Sequence, residues 1–192
     1  MIPSRRWAFD IIRGSGMPYH IFCHSMMVRR VSVIIAYMLI KAGRNLDIRL
    51  IDRAALLHDI CKMDSIDTGN NHALMGRQLM EKLGYPRLGE IIGQHVVLES
   101  LRLNETMVVN YADKRVMHDR VVTLSQRFVD LMDRYGKDDG KAEMILALYK
   151  QATEEESIIT EMAGLDPLWL NNLNLIPGDY PLYGGYGFLR KD

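Results

Sequence analysis

The chain has 192 residues, 48% of them hydrophobic and 25% charged, which fits one domain with a buried core. Lys plus Arg number 24 and Asp plus Glu number 24, so the formal net charge is zero. That balance argues against a general polyelectrolyte binder, and neither a nucleic-acid duplex nor a membrane surface is an expected partner.

Two cysteines, Cys23 and Cys61, cannot build a disulfide framework. They read as reduced thiols in small core positions of a cytoplasmic protein. Arg5-Arg6 is followed by Trp-Ala-Phe-Asp rather than by an apolar run, so a twin-arginine leader is not expected. The apolar stretch Val31 to Ile40 falls well short of the ~20 residues a bilayer requires, and reads as a buried helix.

Helix follows helix along the chain, with no strand alternation and no internal repeat. Pro3 to Arg13 forms a first helix, closed by Gly14-Ser15-Gly16. Pro18 opens a long helix to about Lys41, ended by Gly43. Its inner stripe runs His24, Val28, Val31, Ile35 and Met38, which places His24 on the apolar face. Asp47 caps the next helix, whose stripe is Ile51, Ala54, Ala55 and His58, with Asp59 at its edge. Met63 to Asn71 reads as a polar loop. A helix from about His72 carries Met75, Gly76, Leu79 and Leu83 on the side of that histidine. Gly84 ends it and Pro86 starts another, with Leu88, Ile91, Ile92, His95 and Leu98 on one face. Asn104 caps a helix in which Val109, Asp113, Val116 and Met117 share a side. Thr123 opens a helix to about Arg134, and Asp138 or Asp139 begins a last one reaching Met162. Residues 1–163 thus form the expected all-α, multi-helix domain. Residues 164–192 form an irregular tail, packed on the domain or partly mobile, in which Tyr180, Tyr183 and Tyr186 are expected to anchor the coil. Glu154-Glu155-Glu156 reads as a solvated helix face.

Six polar residues therefore fall on apolar faces of five helices: His24, His58, Asp59, His72, His95 and Asp113. A buried carboxylate needs a cation or strong hydrogen bonds. Imidazole and carboxylate together suit transition-metal ions better than calcium. Taken singly, each of these residues has a plain structural reading. Asp113, for example, has Arg115 two residues away as an ion-pair partner. A second His-Asp pair, His118-Asp119, lies about 140° from Asp113 on a continued helix and is expected to point away. His20 precedes His24 by four residues, but without an intervening glutamate it forms no zincin motif.

The order His24, then His58-Asp59, then Asp113 within Tyr111-Ala112-Asp113-Lys114 resembles the HD-domain metal-dependent phosphohydrolases. Leu56-Leu57-His58-Asp59-Ile60-Cys61-Lys62 is similar to their Leu-Leu-His-Asp-Ile-Gly-Lys segment, with Cys61 where glycine is usual. His72 and His95 match the two additional histidines of the binuclear branch. The resemblance covers about residues 18–135. Gly84-Tyr85-Pro86 spells the signature of the cyclic-dinucleotide branch, but lies before His95 at a helix break, where a glycine stop and a proline start explain it.

The resemblance implies a helical bundle with a central site holding one or two divalent ions, of Fe, Mn, Zn, Co or Ni, or of Mg. His24, His58, Asp59 and Asp113 would hold the first ion, and Asp59 would bridge to a second held by His72 and His95. The implied substrate is a phosphorylated small molecule, a phosphate ester or anhydride of a nucleotide or dinucleotide. Asp59 and Lys62 would then be catalytic. Lys62 would contact phosphate, or would be a helix-end cation. Lys114 and Arg115 are weaker candidates for that contact and could simply face solvent. Asp64 and Asp67 are candidates for proton transfer. A di-iron oxygenase and a non-catalytic signalling module are the competing readings on this scaffold. The oligomeric state is not readable.

Overall fold

The computed structural model describes residues 1–173 and 175, so Tyr180, Tyr183 and Tyr186 lie outside the described residues. The fold is all-α, as the periodicity predicts. The helices are α1 (Arg5–Gly14), α2 (Tyr19–Lys41), α3 (Ile48–Leu57), α4 (Lys62–Thr68), α5 (His72–Lys82), α6 (Pro86–Gly93), α7 (Glu105–Lys114), α8 (Leu124–Tyr135) and α9 (Asp139–Ala163).

Local side-chain chemistry starts most of these helices. Asp47 accepts from the Arg49 and Leu50 amides, Asn71 from Ala73 and Leu74, and Asn104 from Met107. Thr123 and Gln126 form a reciprocal capping box at α8. Each cap satisfies amides that have no partner within the helix.

Helix α2 is the centre of the bundle. It packs against α3 and α7 and also touches α9. By length and a mean hydropathy of 1.4 it could cross a membrane, but half of its most apolar stretch is buried inside the domain. The apolar character extends beyond Val31–Ile40 because Ile21, Phe22, Met26, Met27 and Val28 are buried as well. Helices α5 and α6 form a close antiparallel pair. Gly76 makes that approach possible: a Cβ there would sit 2.7 Å from the Ile92 Cγ2 atom.

Four expectations require correction. The predicted loop from Met63 is largely helix α4, whose C-cap Gly69 takes a left-handed φ of 72°. Helix α7 stops at Lys114, so Val116 and Met117 do not continue its stripe. They form β1 (Val116–Met117), paired antiparallel with β2 (Arg120–Val121), a ladder too short to show alternation. Lys114 and Arg115 do not face solvent; both are buried. Glu154-Glu155-Glu156 is not a uniformly solvated face, because successive helical residues point about 100° apart. Glu155 is fully buried against Lys114 at 3.2 Å, and Glu156 accepts from Arg115 at 2.9 Å and from the Tyr111 hydroxyl at 2.7 Å. These contacts fasten α7 to α9.

Beyond α9 the chain turns at Gly164, and Leu170 is buried in the core. Arg115 donates to the Asn171 side chain at 2.5 Å, tying this segment to the end of α7.

Candidate metal centre

All six polar residues singled out above meet at one place. Helix α2 supplies His24 and α5 supplies His72 from its first position. His58 caps the end of α3, and Asp59 lies in the turn between α3 and α4. His95 lies just beyond the end of α6 rather than within it. Asp113 comes from the last turn of α7. His58, Asp59 and His95 are buried, while His24, His72 and Asp113 are partly so.

Three of the four imidazoles are fixed in the same way. Nδ1 of His24 donates to the His118 carbonyl at 2.7 Å, Nδ1 of His58 to Ala55 at 2.8 Å, and Nδ1 of His95 to Ile92 at 2.7 Å. A carbonyl oxygen only accepts, so each Nδ1 carries hydrogen. In the neutral ring Nε2 is then an unprotonated donor atom aimed inward, the arrangement that metal-ligating histidines use. The buried Nε2 of His58 has no hydrogen-bond partner among the described residues. Nε2 of His72 and Nε2 of His95 stand 3.0 Å apart, an approach of two nitrogen atoms that calls for a cation or a proton between them.

The carboxylates complete two adjoining groups. Asp113 Oδ1 is 2.8 Å from His24 Nε2 and 3.5 Å from His58 Nε2. Asp59 Oδ2 is 3.6 Å from His58 Nε2, whereas Oδ1 is 3.1 Å from His72 Nε2 and 3.6 Å from His95 Nε2. The two oxygens of Asp59 thus face different histidines. His24, His58 and Asp113 form one compact donor group, and His58, Asp59 and His95 form another.

Burial opposes charge at His58, Asp59, His95 and Asp113, and the neighbours outweigh it at three of these four. Burial would lower His58, but Asp59 and Asp113 together raise its pKa above the ordinary imidazole value. Burial would raise Asp59, yet His58, His72, His95 and Lys62 hold it well below the usual carboxylate range. Asp113 is likewise held low, against burial, by His24 and His58. His95 is the exception: burial, aided by His58, depresses it. Two ionised carboxylates among inward-facing nitrogen atoms are a donor set suited to divalent transition metals.

Lys62 begins α4 rather than ending α3. Its ammonium is 3.4 Å from Asp59 Oδ1 and 3.5 Å from His72 Nε2, at the rim of the site. Lys114 also borders the cavity, where its ammonium donates to Asn110 and to Glu155, the latter at 3.2 Å. Asp113 pairs with His24 and His58, not with Arg115. The helical-phase argument for His118 fails because α7 ends first. His118 sits in the hairpin turn with φ 57°, and it is its carbonyl, not its ring, that orients His24. Cys61, where glycine was expected, has φ −102°, a backbone open to any residue. Composition gave no signal for Arg127, which lines the same cavity from α8.

The HD domain family model matches residues 21–138. Neither curated proteins nor solved structures returned a match. The matched segment spans more than half of the chain and contains all six converging residues, and the chain belongs to the HD domain family.

Proposed function

We propose that this protein is a metal-dependent phosphohydrolase that uses two divalent ions. The orientation of Asp59 carries this reading: one carboxylate oxygen faces His58 and the other faces His72 and His95, as a bridging ligand would. In this reading His24, His58, Asp59 and Asp113 would hold the first ion, and Asp59, His72 and His95 would hold the second. Such ions supply Lewis acidity, lowering the pKa of water and neutralising charge on phosphoryl oxygens.

The chain's own groups do the rest. The Nδ1 hydrogen bonds hold three imidazoles in the ligating tautomer before substrate arrives. Lys62 places a compact positive charge beside Asp59, where it can bind a phosphoryl oxygen. Water oxygen bonds to phosphorus, the phosphorus–oxygen bond to the leaving group breaks, and that oxygen takes the electron pair and a proton. The cationic rim favours this anionic substrate class over the oxidisable neutral substrate of a di-iron oxygenase, and the complete donor set favours catalysis over a non-catalytic module.

Elemental analysis of protein purified without chelator tests the metal centre, together with release of phosphate or alcohol from a phosphate-ester panel. Two ions per chain and hydrolysis abolished by His58→Ala are expected. A chain that takes up no transition metal on titration overturns the proposal. An absorption change on exposing reduced, iron-loaded protein to dioxygen, without hydrolysis, would favour the oxygenase.

A further inference from the structure

Two cavities open from the site in different directions. They share His24, Asp59, Lys62, Arg127, Leu131 and Tyr135. The first, of about 340 Å³, runs between α8 and α9, and its far walls are Val96, Phe128, Lys141, Met144, Ile145 and Leu148. The second, of about 580 Å³, lies over the start of α2 and the hairpin turn, with Tyr19, His20, His118, Asp119 and Arg134 in its walls. The first chamber is the more apolar and the second the more polar, although Ile21, Cys23 and Ile66 also line the second, and the cluster lies where they meet.

Arg127 stands at that junction. Its Nε is buried and has no hydrogen-bond partner among the described residues. Its Nη1 is 3.5 Å from Asp130 Oδ2, and the same carboxylate oxygen is also bonded by Arg134. One carboxylate therefore faces two guanidinium groups, which leaves net positive charge on this wall. The side chain lines both chambers, and a planar guanidinium matches the geometry of two phosphoryl oxygens.

We propose that Arg127 binds the phosphoryl group at the junction and that the substrate is a disubstituted phosphate, with an apolar arm in one chamber and a polar arm in the other. This rests on the phosphohydrolase reading and narrows it. A monoester has a single arm and would leave one chamber empty. The more apolar chamber favours an arm with few hydrogen-bonding groups, because Lys141 is the one charged side chain among the described residues of its far walls. The more polar chamber suits a sugar or another hydroxyl-bearing group.

The test uses full-length, Mn²⁺-loaded protein and two probes: p-nitrophenyl thymidine 5′-phosphate, with an arm on each side, and p-nitrophenyl phosphate, with one. The diester should be cleaved with kcat/KM at least about tenfold higher. Arg127→Met should lower kcat/KM for the diester about a hundredfold with metal content unchanged. Arg127→Lys, which keeps charge but loses the fork, should recover part of it. His20→Trp, which narrows the polar chamber from an exposed position, should cut the diester-to-monoester ratio by about tenfold. Thermal unfolding of each variant identifies loss of fold, and Arg127→Lys carries the test if Arg127→Met does not fold. A monoester cleaved as well as the diester, or an Arg127→Met variant with wild-type kcat/KM, overturns this inference alone. Cleavage of neither probe overturns the hydrolase reading and this inference with it.

Discussion

Gly76→Ala tests whether the α5–α6 contact, rather than the ligands themselves, sets the geometry of the second half of the site. The added Cβ would meet Ile92 Cγ2 at 2.7 Å, about 1 Å inside a normal carbon–carbon contact. Ile92 is fully buried, so it has nowhere to swing, and α5 must move away from α6. Overpacking of this kind costs about 1–3 kcal/mol. Alanine's better helix propensity returns up to about 1 kcal/mol. Gly140→Ala in α9 is the control, because its Cβ meets only the Asp138 carboxylate, at 3.4 Å. Relative to that control, Gly76→Ala should lose about 1–3 kcal/mol in urea unfolding of the chelated protein, an overpacking cost without compensation. The same movement should separate His72, one turn away on α5, from His95, whose Nδ1 is held by the carbonyl of Ile92 itself. Affinity for the second ion should then fall about tenfold, or 1.4 kcal/mol, while the first ion binds as before. Equal stabilities of the two alanine variants, or unchanged binding of both ions by calorimetry, would refute the reasoning.

Lys62→Met should have opposite effects on binding and catalysis. Unit charges about 4 Å apart interact by about 1 kcal/mol even at the dielectric constant of water, so removing the ammonium should tighten the second ion about fivefold while slowing phosphate-ester hydrolysis. Tighter metal binding with full activity would show that Lys62 has no substrate role. The chelated protein should be most stable near pH 6.5. His58, with a raised pKa, contributes stability that is complete below about pH 6.5 and lost as pH rises through its folded value. His95, depressed, contributes stability present above about pH 6.5 and lost as pH falls through its folded value. Asp59 and Asp113 add a further loss below about pH 4. Metal should abolish the alkaline loss, because it replaces the His58 proton; a chelated protein whose Tm climbs steadily from pH 6.5 to 9 would contradict this. Glu155→Gln leaves the Lys114 charge buried without its counterion and should cost about 3–5 kcal/mol, whereas Lys114→Met with Glu155→Leu should be close to neutral. Equal losses in the single and double variants, measured by urea unfolding, would argue that the pair is held by packing alone.

What was legible in the sequence was local. Asp47, Asn104, Thr123 and Asp138 mark helix starts because a capping side chain bonds amides two or three residues ahead. His24 and His72 announce themselves by interrupting apolar stripes of period 3.6. What stayed hidden depends on contacts distant in sequence. Glu155 looks like surface charge until α9 is laid on α7, 41 residues earlier in the chain, where Lys114 meets it. Arg127 looks like one of many exposed arginines, since its burial comes from tertiary packing of α8. The helical-phase reading of His118 assumed that α7 continues, and nothing in Val116–Met117 forbids it. The hairpin is recognisable only by its pairing with Arg120 and Val121.

The hydrogen bonds from the Nδ1 atoms have a consequence for metal exchange. Because peptide carbonyls, not an ion, hold three of the rings, the empty pocket and the loaded one should share a single shape. Ion entry then carries little reorganisation, so loading and loss should not be transmitted to the outer surface of the bundle. Such a domain is poorly built to report metal availability to a partner. It is well built to accept, with its geometry intact, whichever divalent ion of suitable size the surroundings supply.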